Sequence, residues 1–348
     1  MLGRLSPIRL VVLSCVFSLV LAEVVLRLLG TQRTFAEVSG HNYQLYFDKN
    51  WETHYRKHDA STVQHHTNLD FAYNIVVNKH GFVGAAPAER KTRFRIAVLG
   101  DSFTEGVGAL SPDSSYPALL ENLLASEYPN LNAEVLNFGV GGSDVVFETR
   151  YLIDSMAQFA PDLVIMTYNN SDLTDIVQMG GEERFHLNGL TYSRSAPWWT
   201  SIYQYSHLFR LWITNVLDYD SELYFKKTSV KGEFAHAEEV LLQSVLKANE
   251  HCKKIGCKFL FVLMPFAQEL VSSRQETETF FKNMTSSLQK TEVACINLYS
   301  PMSAVINEQT LKQYSWWKYD GHYRHTGYLL VAQSVANSPE LKAVLNAQ

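Results

Sequence analysis

From Arg93 onward the chain alternates short apolar runs with segments of helical spacing, a rhythm that few folds accommodate. Phe94-Arg95-Ile96-Ala97-Val98-Leu99 reads as a buried strand that breaks at Gly100. Tyr116, Leu119, Leu120, Leu123 and Leu124 then fall at i, i+3, i+4, i+7 and i+8, the apolar face of an amphipathic helix. The same reading predicts strands at Glu134 to Phe138, Asp162 to Thr167, Phe259 to Leu263 and Cys295 to Leu298. It predicts helices at Phe147 to Met156, Ala235 to Lys254, Thr277 to Leu288 and Thr326 to Ala336. A parallel neighbour is reached only through a crossover long enough to hold a helix, so strands spaced by helices pair in parallel. The expected architecture is α/β, with a central, mostly parallel sheet covered on both faces.

Ahead of this domain, Arg4 and Arg9 precede an apolar run from Leu10 to Ala22, interrupted by Ser14, Cys15 and Ser18 and continued by Glu23 to Leu29. Residues 1–30 therefore read as a signal anchor or a signal peptide. The apolar core of a cleaved signal is about 7–15 residues long and a spanning helix about 17–25, so Leu10 to Leu29 favours the uncleaved anchor. Val20-Leu21-Ala22 is also an acceptable cleavage pattern, and cutting after Ala22 would give a secreted protein. Glu23 and Arg27 stand i,i+4 apart and can pair near the outer interface. With the anchor kept, the chain is expected to be a single-pass protein of the cell inner membrane. The lipid bilayer is then a partner, and the main domain lies on the periplasmic side. Residues 31–90 read as a lead-in with short strands, 91–348 as the main domain, and about 180–231 as an aromatic-rich insertion with a helix at His207 to Val216.

The formal charge of -5 and pI near 6.2 are of the wrong sign for a nucleic-acid surface. His54, His58, His65 and His66 lack acidic partners at ligand spacing and read as solvated histidines. Four cysteines do not make a disulfide scaffold or a zinc site, and neither metal nor organic cofactor is expected. A Cys257–Cys295 or Cys252–Cys257 disulfide and free buried thiols all remain open.

Three strand ends carry polar residues where ligands of such sheets bind. In Gly100-Asp101-Ser102-Phe103-Thr104-Glu105-Gly106, Ser102 sits at the turn from strand to helix, beside backbone N–H groups able to hold an oxyanion. Asn137-Phe138-Gly139-Val140-Gly141-Gly142-Ser143 allows close approach to the backbone, and Tyr168-Asn169-Asn170-Ser171-Asp172 is a run of amide and hydroxyl donors. A serine nucleophile needs a base. Asp320-Gly321-His322 supplies one: residues two apart on an extended segment share a side, so Asp320 can hold His322 in the tautomer that accepts the Ser102 proton.

These blocks resemble those of the SGNH hydrolase superfamily, the GDSL-type esterases, and in particular its membrane-anchored bacterial extracytoplasmic members. The resemblance spans Asn74 to Ala336 and rests on Gly100, Asp101, Ser102, Thr104 and Gly106, on Asn137, Gly139 and Gly142, and on Asp320, Gly321, His322 and Gly327. It implies a flavodoxin-like three-layer αβα fold, with Ser102, Asp320 and His322 as catalytic triad. The oxyanion hole would be formed by the N–H groups of Ser102 and Gly142. The third block departs from the family's Gly-x-Asn-Asp or Gly-Asn-Asp pattern: in the register of Asp172, Asn170 takes the glycine position and Ser171 the asparagine position. Either Asn170 or Ser171 is then the third donor. Arg324 also stands where relatives often carry asparagine.

The implied activity is hydrolysis of O-acyl esters on an envelope carbohydrate through an acyl-enzyme. An O-acyltransferase working with envelope-polysaccharide machinery, and a catalytically weak glycan-binding protein, are the alternatives. Trp198-Trp199 and Trp316-Trp317 could stack on sugar rings or simply pack.

Overall fold

The computed structural model describes residues 6–30, 61–67, 70–88, 91, 93–179, 181–182, 198–220, 226–316 and 320–347. His54, His58 and Trp317 lie outside them. In chain order the principal elements begin with α1 (Pro7–Leu29), β1 (Val63–Thr67), β2 (Ala72–Val76), β3 (Phe94–Gly100) and α2 (Ser102–Glu105). There follow α3 (Tyr116–Glu127), β4 (Ala133–Gly139), α4 (Val145–Ser155), β5 (Leu163–Tyr168) and α5 (Ser171–Met179). Next come α6 (Thr200–Tyr205), α7 (His207–Asn215), α8 (Lys227–Ile255) and β6 (Lys258–Leu263). The series closes with α9 (Arg274–Gln289), β7 (Cys295–Asn297) and α10 (His325–Ala336). Each strand expected beyond Arg93 forms within a residue of its apolar run. Helix α8 starts at Lys227 rather than Ala235, because its first turns are polar and largely exposed and so carry no apolar period.

The chain forms two compact units, one of Met1–Asn50 with Val177–His236, the other of Trp51–Ile176 with Ala237–Gln348. The larger unit holds a five-stranded sheet in the order β4-β3-β5-β6-β7, parallel throughout, and the antiparallel hairpin β1-β2. Strands β4 and β5 are buried along their whole length, as both-face coverage requires. This is the 2-1-3-4-5 order of a doubly wound sheet. The chain leaves β3 for β4 on one side and then crosses to β5 on the other. The carboxyl ends of these three strands therefore meet at the topological switch point.

The outer strand β4 is tied inward by a buried ion pair. Arg95 Nε donates to Glu134 Oε2 at 2.7 Å, with side-chain exposures of 5% and 8%. Arg95 Nη1 and Nη2 donate to the Phe159 and Ala88 carbonyls at 2.6 and 3.2 Å, and the Ala88 N–H donates to Glu134 Oε1 at 3.1 Å. The pair thus fastens the end of the lead-in to the sheet.

Within the smaller unit, Trp199, Tyr203 and Ile213 form a buried cluster joined by Phe209 and Tyr219. Helix α1 starts at the Ser6 cap and Pro7, ends at Gly30 in the left-handed conformation, and buries none of its residues. Its mean hydropathy of 2.4 and a length of about 34 Å make it long and apolar enough to cross a bilayer.

All four cysteines are free, and Cys252, Cys257 and Cys295 are buried. A hydrogen bond to Cys257, then burial, pushes the Cys252 thiol up, and burial raises that of Cys295 to about 12. His65 Nδ1 bonds to Asn74 Oδ1 at 2.7 Å and His66 stacks on Tyr73 at 5.2 Å. Among the described residues no group of His, Cys, Asp or Glu side chains is placed to hold a metal ion.

Candidate active site

Strand β3 delivers the chain to Gly100, and Asp101 then caps α2 by accepting the Phe103 N–H at 2.9 Å. The cap puts Ser102 at the first helical position, where a backbone N–H has no partner within the helix. Gly139, at the end of β4, lies so close to α2 that a Cβ there would stand 2.1 Å from the Glu105 nitrogen. The family-like glycine at this position thus sets the spacing between the first two polar turns.

The carboxyl-terminal segment brings His322 to Ser102. His322 Nε2 lies 2.7 Å from Ser102 Oγ, and its Nδ1 is hydrogen bonded to Asp320 Oδ1. The same carboxylate oxygen accepts the His322 backbone N–H at 2.9 Å, closing an Asx-type loop that holds the imidazole in place. Phe103 stacks on the ring at 4.5 Å between centroids. Asp70 accepts the Asp320 N–H at 3.0 Å. No local pattern could have exposed this contact, because the partners lie 250 positions apart.

Gly142 adopts φ +74°, the left-handed region, and a Cβ placed there meets nothing within 4 Å. Its N–H is taken up by no acceptor among the described residues. Asn170 Nδ2 donates to Glu269 Oε1 at 2.5 Å, and its Oδ1 accepts from the Tyr168 hydroxyl at 3.2 Å. The single Ser171 hydroxyl proton faces Asn169 Oδ1 at 2.7 Å and Asp101 Oδ2 at 3.1 Å. Asn169 Oδ1 also accepts the Ser171 N–H at 2.9 Å, which orients the amide unambiguously, since an N–H can only donate. The buried Asn169 Nδ2 then points at no acceptor with hydrogen-bond geometry among the described residues, though it lies near enough to Asp101 to favour that carboxylate's charged form. The register set by Asp172 drew attention to Asn170 and Ser171 and past Asn169. The first asparagine of the Asn169-Asn170 pair is the signal the sequence offers for it.

Residues 98–330 match the GDSL-like lipase/acylhydrolase family. The chain belongs to that family. It is an esterase of the SGNH superfamily by that membership. No curated protein sequence matches it. Among solved structures it is similar to a catalytic mutant of an acetylxylan esterase from Geobacillus stearothermophilus (16% identity, 73% of this chain and 98% of that one, TM-score 0.43). It is also similar to a two-domain esterase active on acetylated mannans (15%, 70% and 48%, 0.41) and to an alpha/beta hydrolase enzyme from the metagenome of Lake Arreo, Spain (14%, 72% and 94%, 0.42).

Where the family often has asparagine, the Arg324 guanidinium of this esterase lies over the Trp316 ring, 3.9 Å from its centroid. Trp316 in turn packs on Phe71 at 5.1 Å and donates through Nε1 to the Gly108 carbonyl at 3.0 Å. Trp316 is thus a packing residue of the larger unit, as Trp199 is of the smaller, while Trp198 is 86% exposed.

The buried carboxyl groups near Ser102 include Asp101, Asp144, Glu148 and Asp172. Asp172 accepts the Asn169 and Val145 N–H groups at 2.8 and 2.9 Å. Burial pushes the Asp101 and Asp172 carboxyls above the ordinary carboxylate range, Asp172 well above it, with Glu148 and Asp101 adding repulsion at Asp172. A carboxyl whose folded-state pKa is raised holds a proton that the unfolded chain has already released. Its stabilisation is complete below the unfolded value and is lost as pH rises through the folded one. Thermal melts should therefore show the midpoint falling as pH is raised from the ordinary Asp range upward. The slope should flatten in Asp172→Asn. A midpoint that rises with pH over that window, or an unchanged slope in the variant, would contradict this assignment.

Proposed function

We propose that this chain is a membrane-anchored esterase that removes O-acyl groups from extracytoplasmic carbohydrate through Ser102, His322 and Asp320. The observation that carries the reading is the continuous hydrogen-bonded line from Ser102 Oγ through both nitrogens of His322 to Asp320. Ser102 Oγ attacks the ester carbonyl carbon while His322 Nε2 takes the hydroxyl proton, and Asp320 stabilises the imidazolium. The carbonyl oxygen becomes an oxyanion held by the N–H groups of Ser102 and Gly142. His322 returns the proton to the departing alcohol oxygen, leaving an acyl-serine. Water, deprotonated by His322, then attacks the acyl carbon and releases the acid and Ser102.

For the third oxyanion donor we favour Asn169 Nδ2 over the sequence candidates Asn170, one of whose amide N–H groups goes to Glu269, and Ser171, whose hydroxyl faces Asn169 and Asp101. Asn169→Ala should lower kcat about 10²–10³-fold with little change in KM. Asn170→Ala and Ser171→Ala should each stay within about tenfold of the parent. Initial rates on p-nitrophenyl acetate, with melting curves as a folding check, decide between them.

The rim around the triad supports a hydroxylated alcohol rather than a lipid. Exposed Asn170 pairs with half-buried Glu269, and the Gln268 amide lies beside Gly321. Burial raises the Glu269 carboxyl, offset in part by hydrogen bonds from Asn170 and the Phe266 N–H. The anchoring role of α1 rests on its length, its hydropathy and the absence of buried residues along it. Acetate release from O-acetylated xylan and mannan, compared with hydrolysis of long-chain p-nitrophenyl esters, tests the substrate class. The reading expects kcat/KM to favour the acetylated sugars. A preference for long acyl chains would overturn it, and acetyl transfer to an added sugar in place of water would make the enzyme a transferase.

A further inference from the structure

Glu23 is the one acidic residue of α1, placed one turn and a half before its carboxyl end. A carboxylate on a spanning helix is costly unless it is paired or fully hydrogen bonded. Glu23 Oε1 accepts the His207 N–H at 3.0 Å, and Oε2 accepts the Leu208 N–H and the Ser206 hydroxyl, both at 2.9 Å. Arg27 Nε donates to Glu23 Oε1 at 2.8 Å, while Arg27 Nη2 donates to the Tyr205 carbonyl at 2.7 Å. Ser206 Oγ itself accepts the Phe209 N–H at 3.1 Å. The carboxylate of α1 thus serves as part of the N-terminal cap of α7, taking two N–H groups that the helix cannot satisfy internally, at its positive end. Along α1 only Ala22, Glu23 and Leu26 are even partly covered, and these fall on one face. The contact is therefore a discrete clip between the anchor and the turn joining α6 to α7.

The position of the clip along α1 fixes a depth. Glu23 lies about 9 Å before the end of the helix, after about 24 Å of predominantly apolar helix from Pro7. A hydrocarbon core of about 30 Å measured from Pro7 then ends near Arg27, one turn past Glu23, and the α6–α7 turn that both side chains hold sits where acyl chains meet lipid headgroups. This short pair of helices exposes apolar side chains suited to that layer. Trp198 (86%), Ile202 (48%) and Tyr205 (64%) recur at i, i+4 and i+7, and Trp212 (44%) and Val216 (66%) at i and i+4. Tryptophan and tyrosine concentrate at membrane interfaces, where an amphipathic ring meets both apolar and wet surroundings.

We propose that α6 and α7 form an interfacial membrane-docking element, held at the outer bilayer surface by the Glu23 and Arg27 clip, and that α1 is retained in the mature protein. The occupant of the exposed aromatic face is the bilayer that holds α1, since the two surfaces are continuous through the clip. The inference builds on the anchoring role assigned to α1 above.

The test uses the full-length chain in vesicles of phosphatidylethanolamine and phosphatidylglycerol, with a nitroxide spin label on one cysteine at a time. Cys15, exposed on α1, reports the anchor, while Ile202→Cys and Val216→Cys in a Cys15→Ser background report the docking element. Collision with oxygen, which concentrates in lipid, is compared with collision with a water-soluble nickel chelate. Labels at 15, 202 and 216 should all favour oxygen. Glu23→Ala should move 202 and 216 to the nickel side while leaving 15 in lipid and p-nitrophenyl acetate hydrolysis unchanged, the triad belonging to the other compact unit.

A water-exposed label at 202 and 216 in the parent, with 15 in lipid, would overturn the docking element and leave the anchor standing. Labels shielded from both colliders would overturn it in favour of a protein partner. Labels still in lipid in Glu23→Ala would overturn the clip. A mass showing loss of residues 1–22, or a water-exposed label at 15, would overturn the anchor and the docking element together.

Discussion

Ser102→Ala should reduce kcat for p-nitrophenyl acetate by about 10⁴–10⁶-fold, because among the described residues Ser102 Oγ is the hydroxyl hydrogen bonded to His322 Nε2, at 2.7 Å. In the proposed mechanism Ser102 and His322 act as one unit, so the double variant Ser102→Ala/His322→Ala should be no slower than Ser102→Ala alone. Asp320→Asn should cost about 10⁴-fold with the geometry nearly intact, since the amide can hold the imidazole in the wrong tautomer. A Ser102→Ala rate within tenfold of the parent, or a double variant that multiplies the single losses, would exclude this mechanism.

The second large effect is on stability. Glu134→Ala leaves the Arg95 guanidinium 5% exposed and stripped of its counter-charge, and also frees the Ala88 N–H that Glu134 accepts. Breaking a buried pair from one side typically costs about 3–5 kcal/mol. For a domain of this size that is a fall in melting temperature of roughly 6–20 °C. Replacing both partners, as in Arg95→Met/Glu134→Leu, should recover a large part of the loss, because the cost comes from a stranded charge rather than from the missing attraction. Differential scanning calorimetry of the parent, the single and the double variant measures both. A single variant within about 1 kcal/mol of the parent would mean the guanidinium finds water, and a double variant worse than the single would mean the pair is needed for packing.

The sheet was readable from local order because its strands are buried on both faces. Runs such as Ile96 to Leu99 and Leu163 to Met166 are apolar at every position, and the intervening helices keep a clean period. The elements hardest to place were those whose side chains face water: the first turns of α8, polar and largely exposed, carry no such period. The three polar turns were legible for a similar reason, as glycines and hydroxyls interrupt otherwise apolar strand ends. Ser102, Asp320 and His322 could be singled out as well, since Asp320 and His322 are local to one another and only their meeting with Ser102 is distant.

Local spacing cannot reveal which donor is free once the turns are folded together. From one dimension, Asn169, Asn170 and Ser171 are three neighbouring polar residues. Folding commits the Asn170 amide to Glu269, on the far side of β6, and the Ser171 hydroxyl to Asn169 and Asp101. The same limit applies to Asp70 behind Asp320 and to Glu23 at the start of α7, contacts made across 250 and 184 positions. Residue type and periodicity, which act within a few positions, therefore establish the element order, the parallel sheet and the polar turns at its strand ends. How the polar atoms beside Ser102 pair, and which helix end the Glu23 carboxylate of α1 caps, depends on hydrogen bonds whose partners only the packed chain brings within about 3 Å.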